Sequence, residues 1–185
     1  MKAVFISGDS KPRIYNADAA YPFLKGDLLF LDPSTKKVRP AQAIGVMDTL
    51  AHGQLAVAEE FVGVAGVTNG KQSNEILFNL NQNFESQVVV FTGGIWEYEC
   101  SSQVFGPNDR IGFYCAPGVV PTDSQKVTAA YALAGSIGVV APTAGQQAAA
   151  AASTAMTRVC VEIQPLNTRQ GGLPNAADDS FTSGQ

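Results

Sequence analysis

FESQVVVFTGGIWEYECSSQVFGPNDRIGFYC, residues 84–115, is the stretch whose reading decides the fold. Its centre is Gly93-Gly94, a dipeptide suited to the positive φ angles of a two-residue hairpin turn. With those glycines as the loop, Phe91 faces Trp96, Val89 faces Tyr98 and Gln87 faces Cys100. One face of the expected hairpin carries Val89, Phe91, Trp96, Tyr98 and Cys100, and the other alternates Val88, Val90, Glu97 and Glu99. A slip of one residue would turn the aromatic face outward, which makes the register specific. Arg110 to Cys115 supplies a third strand, with Ile111, Phe113 and Cys115 on one side. The unit reads as the core of a mainly β domain.

Outward from that unit, the pattern continues as short strands between turn residues. Ala3-Val4-Phe5-Ile6 and the proline-extended Lys11-Pro12-Arg13-Ile14-Tyr15 are read as parts of an N-terminal arm, residues 1–24. Lys25-Gly26-Asp27 launches a strand at Leu28 to Leu31, and Lys37 to Pro40 returns it. From Asp48 to Phe61 the period changes, and Leu50, Leu55, Val57, Ala58 and Phe61 approximate a helical stripe capped by Asp48 or Thr49. Gly53 weakens that helix by about 1 kcal/mol relative to alanine. Strands follow at Phe61–Val67, closed by Asn69-Gly70, and at Glu75–Leu80.

Beyond Cys115, Lys126–Leu133 and Ser136–Ala141 look like a strand pair around Ala134-Gly135. Ala144 to Thr157 is an alanine-rich tract that fits a helix or a surface loop. Arg158–Ile163 is the last core strand, with Val159, Val161 and Ile163 inward. The organisation expected is an arm (1–24), a β-barrel domain with one short helix (25–164) and an extended C-terminal tail (165–185). Ordering about 20 tail residues costs roughly 1–2 kcal/mol each. Leu166, Leu173 and Phe181 would return only about 1.5–3 kcal/mol each on burial. Partner subunits are therefore expected to pin the tail.

Composition narrows the function classes. Charged residues are 15% of the chain, with 18 glycines and 10 prolines, a balance that suits short strands and turns. The formal charge of −4 and the lack of a Lys/Arg cluster argue against nucleic acid as a partner. Cys100, Cys115 and Cys160 are odd in number and each falls in an expected strand, so buried reduced thiols are expected rather than disulfides or a metal site. Residues 127–141 are too short and glycine-rich for a membrane span, and no secretory h-region precedes Asp9. Synthesis in a reducing cytoplasm, with no membrane partner, is the expectation.

Reactive constellations are scarce. Glu97 and Glu99 alternate on one strand and share a face, which a glycosidase carboxylate pair would also do, but a solvated face is by far the commoner reading of such a pair. His52, the sole histidine, sits in the expected helix without a nucleophile motif beside it. Gly135-Ser136-Ile137-Gly138 lacks a nucleophile-elbow spacing, and Gly63, Gly66 and Gly70 match no phosphate-loop or dinucleotide pattern. Asp178-Asp179 reads as a charge pair of the tail. No catalytic, cofactor or metal residue is nominated.

Taken in order, the β segments resemble the head-decoration, or capsid cement, proteins of tailed bacteriophages. Lys25-Gly26-Asp27-Leu28-Leu29 resembles that family's opening strand, and Phe61-Val62-Gly63-Val64-Ala65 its "GVA" strand. Val88 to Glu99 is similar to its valine-rich strand, glycine turn and aromatic strand, and Gly106 to Tyr114 to the strand that follows. Ile137 to Ala141 and Val159 to Ile163 resemble its late "GVV" and closing strands. The resemblance spans residues 25 to 164; the arm, the helix, the long tail and the Pro107-Asn108 insertion depart from it. It implies a β-barrel or β-tulip domain, commonly a homotrimer, on the outer capsid surface of a virion, clamping adjacent major capsid protein subunits. The arm and tail would then carry the partner contacts, through Phe5, Arg13, Tyr15, Leu173 and Phe181. The alternative is another virion β-module, such as a fibre base, neck or host-surface binding protein.

Overall fold

The computed structural model describes residues 3–66 and 87–165. The expected strand at Glu75–Leu80, the turn at Asn69-Gly70 and the tail residues 166–185 lie outside the described residues. The described chain is mainly β and contains a β-barrel. Its strands are β1 (Val4–Ser7), β2 (Pro12–Asn16), β3 (Leu28–Leu31), β4 (Val38–Pro40), β5 (Phe61–Ala65), β6 (Gln87–Phe91), β7 (Ile95–Gln103), β8 (Arg110–Phe113), β9 (Lys126–Ala129), β10 (Gly138–Val140) and β11 (Met156–Ile163). Two α-helices interrupt them, α1 (Leu50–Ala58) and α2 (Ala144–Ala151).

One sheet has the order β1-β7-β11-β10-β8-β9, and a parallel pairing of Glu99 with Lys126 and Cys100 with Val127 joins β9 back to β7. Five strands thus close on themselves, with β1 flanking the same side of β7. Closure removes most of the open edge that a small sheet would otherwise present. The barrel interior is filled by Trp96, Tyr98, Ile111, Phe113, Val127, Val159 and Val161, all nearly inaccessible to solvent. The inward sets Trp96/Tyr98/Cys100, Ile111/Phe113/Cys115 and Val159/Val161/Ile163 are those that period-2 alternation gives.

The second sheet runs β2-β6-β5-β3-β4, antiparallel throughout. It curls until Ala17, just past β2, makes a parallel bridge to Val38 of β4. Leu29, Val38, Val62, Ala65, Val88 and Val90 fill its inner side, while Leu28, Phe61 and Val64 pack into the barrel core. Both faces of β3 and β5 are therefore covered, which is why they read as continuous apolar runs instead of alternating.

The expected hairpin across Gly93-Gly94 does not form. β6 is paired on both sides, by β2 and β5, whereas β7 belongs to the barrel. The two glycines are instead a corner where the chain leaves one sheet for the other. Beside them, β1 and β2 follow β6 and β7 around the same bend, with Phe5 opposite Trp96 and Ile14 opposite Val89. The corner is tight: Gly94 has φ of 89°, and a Cβ there would stand 2.7 Å from the Phe5 ring. One at Gly93 would stand 2.8 Å from the Asp9 carbonyl oxygen. In this arrangement Val88 and Val90 are the buried residues of β6, and Val89 and Phe91 are half-buried.

Other expectations shift for the same reason, that pairing partners are chosen over long range. Residues 3–16, read as part of an arm, supply an edge strand to each sheet. β9 and β10 do not pair with each other but flank β8 on its two sides. The alanine-rich tract is a second helix, α2, whose Thr143 hydroxyl accepts from the Gln146 N–H. α1 begins after Thr49, which accepts from the His52 N–H, as a cap should.

Candidate partner-contact surface

The bent ribbon β1–β2 is an exposed apolar element at a sheet edge. Val4, Phe5, Ile6 and Ile14 are 47, 42, 47 and 51% exposed. Each strand has one neighbour, β7 for β1 and β6 for β2, and among the described residues no strand pairs with the other side of β1. An edge of this kind offers backbone groups and side chains together, the usual feature of strand-mediated contact.

Beyond the ladders to β7 and β6, further contacts hold the ribbon in place. Phe5 packs edge-on against Trp96 with ring centroids 5.2 Å apart. The Thr92 hydroxyl donates to the Lys11 carbonyl at 2.9 Å, beside the corner. At the start of the ribbon, the Ala3 N–H donates to Gln125 Oε1 at 2.5 Å. Gln125 in turn donates to Asp27 Oδ1 at 2.8 Å and to the Lys25 carbonyl at 3.2 Å. Asp27 also accepts from the Leu24 N–H at 2.7 Å. Burial pushes the Asp27 carboxyl above its ordinary range, opposed by these hydrogen bonds and assisted by the nearby Asp123 charge.

The expected contact residues divide. Phe5 and Arg13 are exposed on the ribbon, and Arg13 has no ion-pair partner among the described residues. Tyr15 is half-buried beside Val88 and packed on the second core. Leu173 and Phe181 lie outside the described residues. A second apolar surface escaped the sequence reading. Val46, Val119 and Val120 are exposed on two loops tied together by the Gly118 N–H donating to the Met47 carbonyl at 2.7 Å. Two successive valines between Gly118 and Pro121 were the signal, masked by the reading of that stretch as a plain connection.

The residues weighed for chemistry have other employments. Glu97 is ion-paired with Arg158 at 2.7 Å across the β7–β11 ladder. His52 Nδ1 lies 2.6 Å from Asp48 Oδ1 on the exposed side of α1, and this hydrogen bond lowers the Asp48 carboxyl. A shallow, mostly apolar hollow of about 140 Å³ lies beside that histidine, between Leu55 of α1 and Tyr131. Arg39 joins Asp18 and Asp32, each at 2.8 Å, and lies over the Tyr21 ring, locking residues 17–24 onto the β3–β4 hairpin. Asp32 is held at about 2, chiefly by the Ser34 N–H and the Thr35 hydroxyl. Cys100, Cys115 and Cys160 are free thiols, and burial pushes Cys100 up to about 11. Among the described residues no three His, Cys, Asp or Glu side chains gather as a metal site, and no helix is long and apolar enough to cross a membrane. No protein-family model matches the chain, and no curated protein matches it.

Proposed function

We propose that the protein is a structural virion protein of the capsid cement type, which binds the outer surface of a bacteriophage shell and clamps adjacent major capsid subunits. The observation that carries this reading is the exposed β1–β2 ribbon, an apolar edge tied to both sheets of a rigid β body. Such an edge can transmit a contact on the surface directly to the core through Phe5 and Trp96. The ordered likeness of residues 25–164 to head-decoration proteins supplies the partner class. Clamping of this kind draws on many modest contacts repeated over an array, and so requires no single deep site. Self-association as a homotrimer belongs to the same reading.

The test is to add purified protein to capsids lacking it and to image the particles. Density over the whole shell supports cement. Density at a single vertex replaces it with a neck, fibre-base or host-binding module, and the mass of the free protein in solution checks the trimer. Substituting Ile6→Ser and Ile14→Ser together, both about half exposed, is expected to lower occupancy at least tenfold while leaving the folded β spectrum unchanged. Undiminished occupancy would remove the ribbon from the contact.

A further inference from the structure

We infer that Asp27, Gln125 and the Ala3 N–H form a proton-operated latch on the start of β1, closed while the Asp27 carboxyl is ionised and released when it takes up a proton. The Gln125 amide is fully engaged. Its two N–H groups donate to the Lys25 carbonyl and to Asp27 Oδ1, and its Oε1 accepts from Ala3. The carboxylate is what orients it. An ionised carboxyl only accepts hydrogen bonds, so Asp27 Oδ1 draws the NH2 side of the amide and thereby turns Oε1 toward Ala3. Asp27 Oδ2 is occupied in the same way by the Leu24 N–H. Both oxygens thus face donors, and a proton placed in line with either partner would set donor against donor.

Of the two partners, the Leu24 N–H is a backbone group and cannot reverse its polarity, whereas a glutamine amide reverses by a half-turn about its last side-chain bond. That half-turn presents Oε1 to a protonated Asp27 Oδ1 and the NH2 to the Ala3 N–H. Ala3 then faces a donor, and its end of β1 is freed. Its seat is built by the residues that carry the switch: Gly26 has φ of 96°, and a Cβ there would stand 2.9 Å from the Ala3 Cβ. The surroundings favour uptake of the proton. Asp27 is 5% exposed, and burial together with the charge of Asp123 acts against the carboxylate, opposed by its two hydrogen bonds. Tyr98, reaching Asp27 from β7, is kept neutral by its own burial and adds no charge, and no cation acts on Asp27 from among the described residues.

The latch holds the start of β1, leaves its outer edge uncovered, and acts on the ribbon whatever the ribbon binds. Its test is a pH titration of the full-length protein by NMR, following the Asp27 carboxyl carbon and the exchange of the Ala3 and β1 amides, corrected for the intrinsic pH dependence of exchange. As pH falls, protection of these amides should drop about tenfold, the order for one lost hydrogen bond. The midpoint should be that of the Asp27 carboxyl itself, above 3.8. Asp27→Asn, a neutral group at every pH, should show the lowered protection throughout and no step. Asp123→Asn keeps an oxygen for the Gln125 N–H but removes the charge, and should move the shared midpoint to lower pH. Protection that stays level while Asp27 titrates, a step that Asp123→Asn does not move, or an Asp27→Asn protein that stays protected or keeps the step would each overturn the inference. No capsid enters any arm, so failure here leaves the cement reading to its own imaging test.

Discussion

Gly53 gives opposite predictions when read locally and when read in the fold. In an isolated helix, Gly53→Ala should stabilise by about 1 kcal/mol, because glycine carries the larger entropy cost. In the folded protein, a Cβ at Gly53 would fall well inside van der Waals contact of Cys115 Sγ and touch Met47 Cγ at 3.4 Å. Cys115 is 1% exposed and packed against the barrel core, so its sulfur has little room to change rotamer. Overpacking of this kind costs about 1–3 kcal/mol. The net expectation for Gly53→Ala alone is a loss of roughly 0–2 kcal/mol. With Cys115→Ala in the background the obstructing sulfur is gone, and the helix gain of about 1 kcal/mol should emerge. Urea unfolding of the four proteins of this cycle measures the coupling, which should be about 1–3 kcal/mol with a change of sign between backgrounds. Equal effects of Gly53→Ala in both backgrounds would refute the packing argument.

Four further outcomes follow from the polar and thiol groups. Asp27 titrates above its ordinary 3.8 in the folded state. The native protein therefore binds that proton more tightly than the unfolded chain, and this contribution to stability declines as pH rises from 3.8 through the raised value. Asp27→Asn should flatten that part of the stability–pH curve in chemical denaturation; an unchanged slope would reassign it to other carboxylates. Asp32 has the opposite sign, since its carboxylate adds stability above the unfolded value and loses it as pH falls toward about 2, a loss that Asp32→Asn should remove from acid unfolding curves. Gln54 donates to the Ala129 carbonyl at 3.0 Å and accepts from the Tyr131 N–H at 2.7 Å, so Gln54→Leu should cost roughly 1–3 kcal/mol for each backbone group it orphans if that group stays buried. With Cys100 at about 11 and shielded, a thiol reagent at pH 7.5 should leave it unlabelled in the native protein and label it on unfolding, as peptide mass mapping would show.

The candidate surface was legible in part. Phe5 and Arg13 were named from the sequence, but as members of an arm, since nothing local says that β1 and β2 have partners some 80 residues away. Tyr15 was read as a contact residue, and its packing beside Val88 became visible only with the β2–β6 register. The Gln125 latch is less legible still. Its three partners, Ala3, Lys25 and Asp27, are about a hundred residues distant, and a glutamine in a loop carries no signal of burial.

By itself the sequence determined where most of the described strands lie and, for the strands of the barrel, which side faces inward. Alternation at Trp96/Tyr98/Cys100 and at Val159/Val161/Ile163 is a local consequence of the pleat, so it can be read without knowing the neighbours. It also determined the cap of α1, because Thr49 acts over three residues. Only the tertiary structure decided what Gly93-Gly94 does. Two glycines permit a hairpin turn and a sheet-to-sheet corner equally well, since both need backbone without a Cβ. The choice falls to partners distant in sequence: β2 and β5 occupy both edges of β6, and β11 takes β7 into the barrel. Side-chain period is a property of one strand, whereas pairing is a competition among all of them.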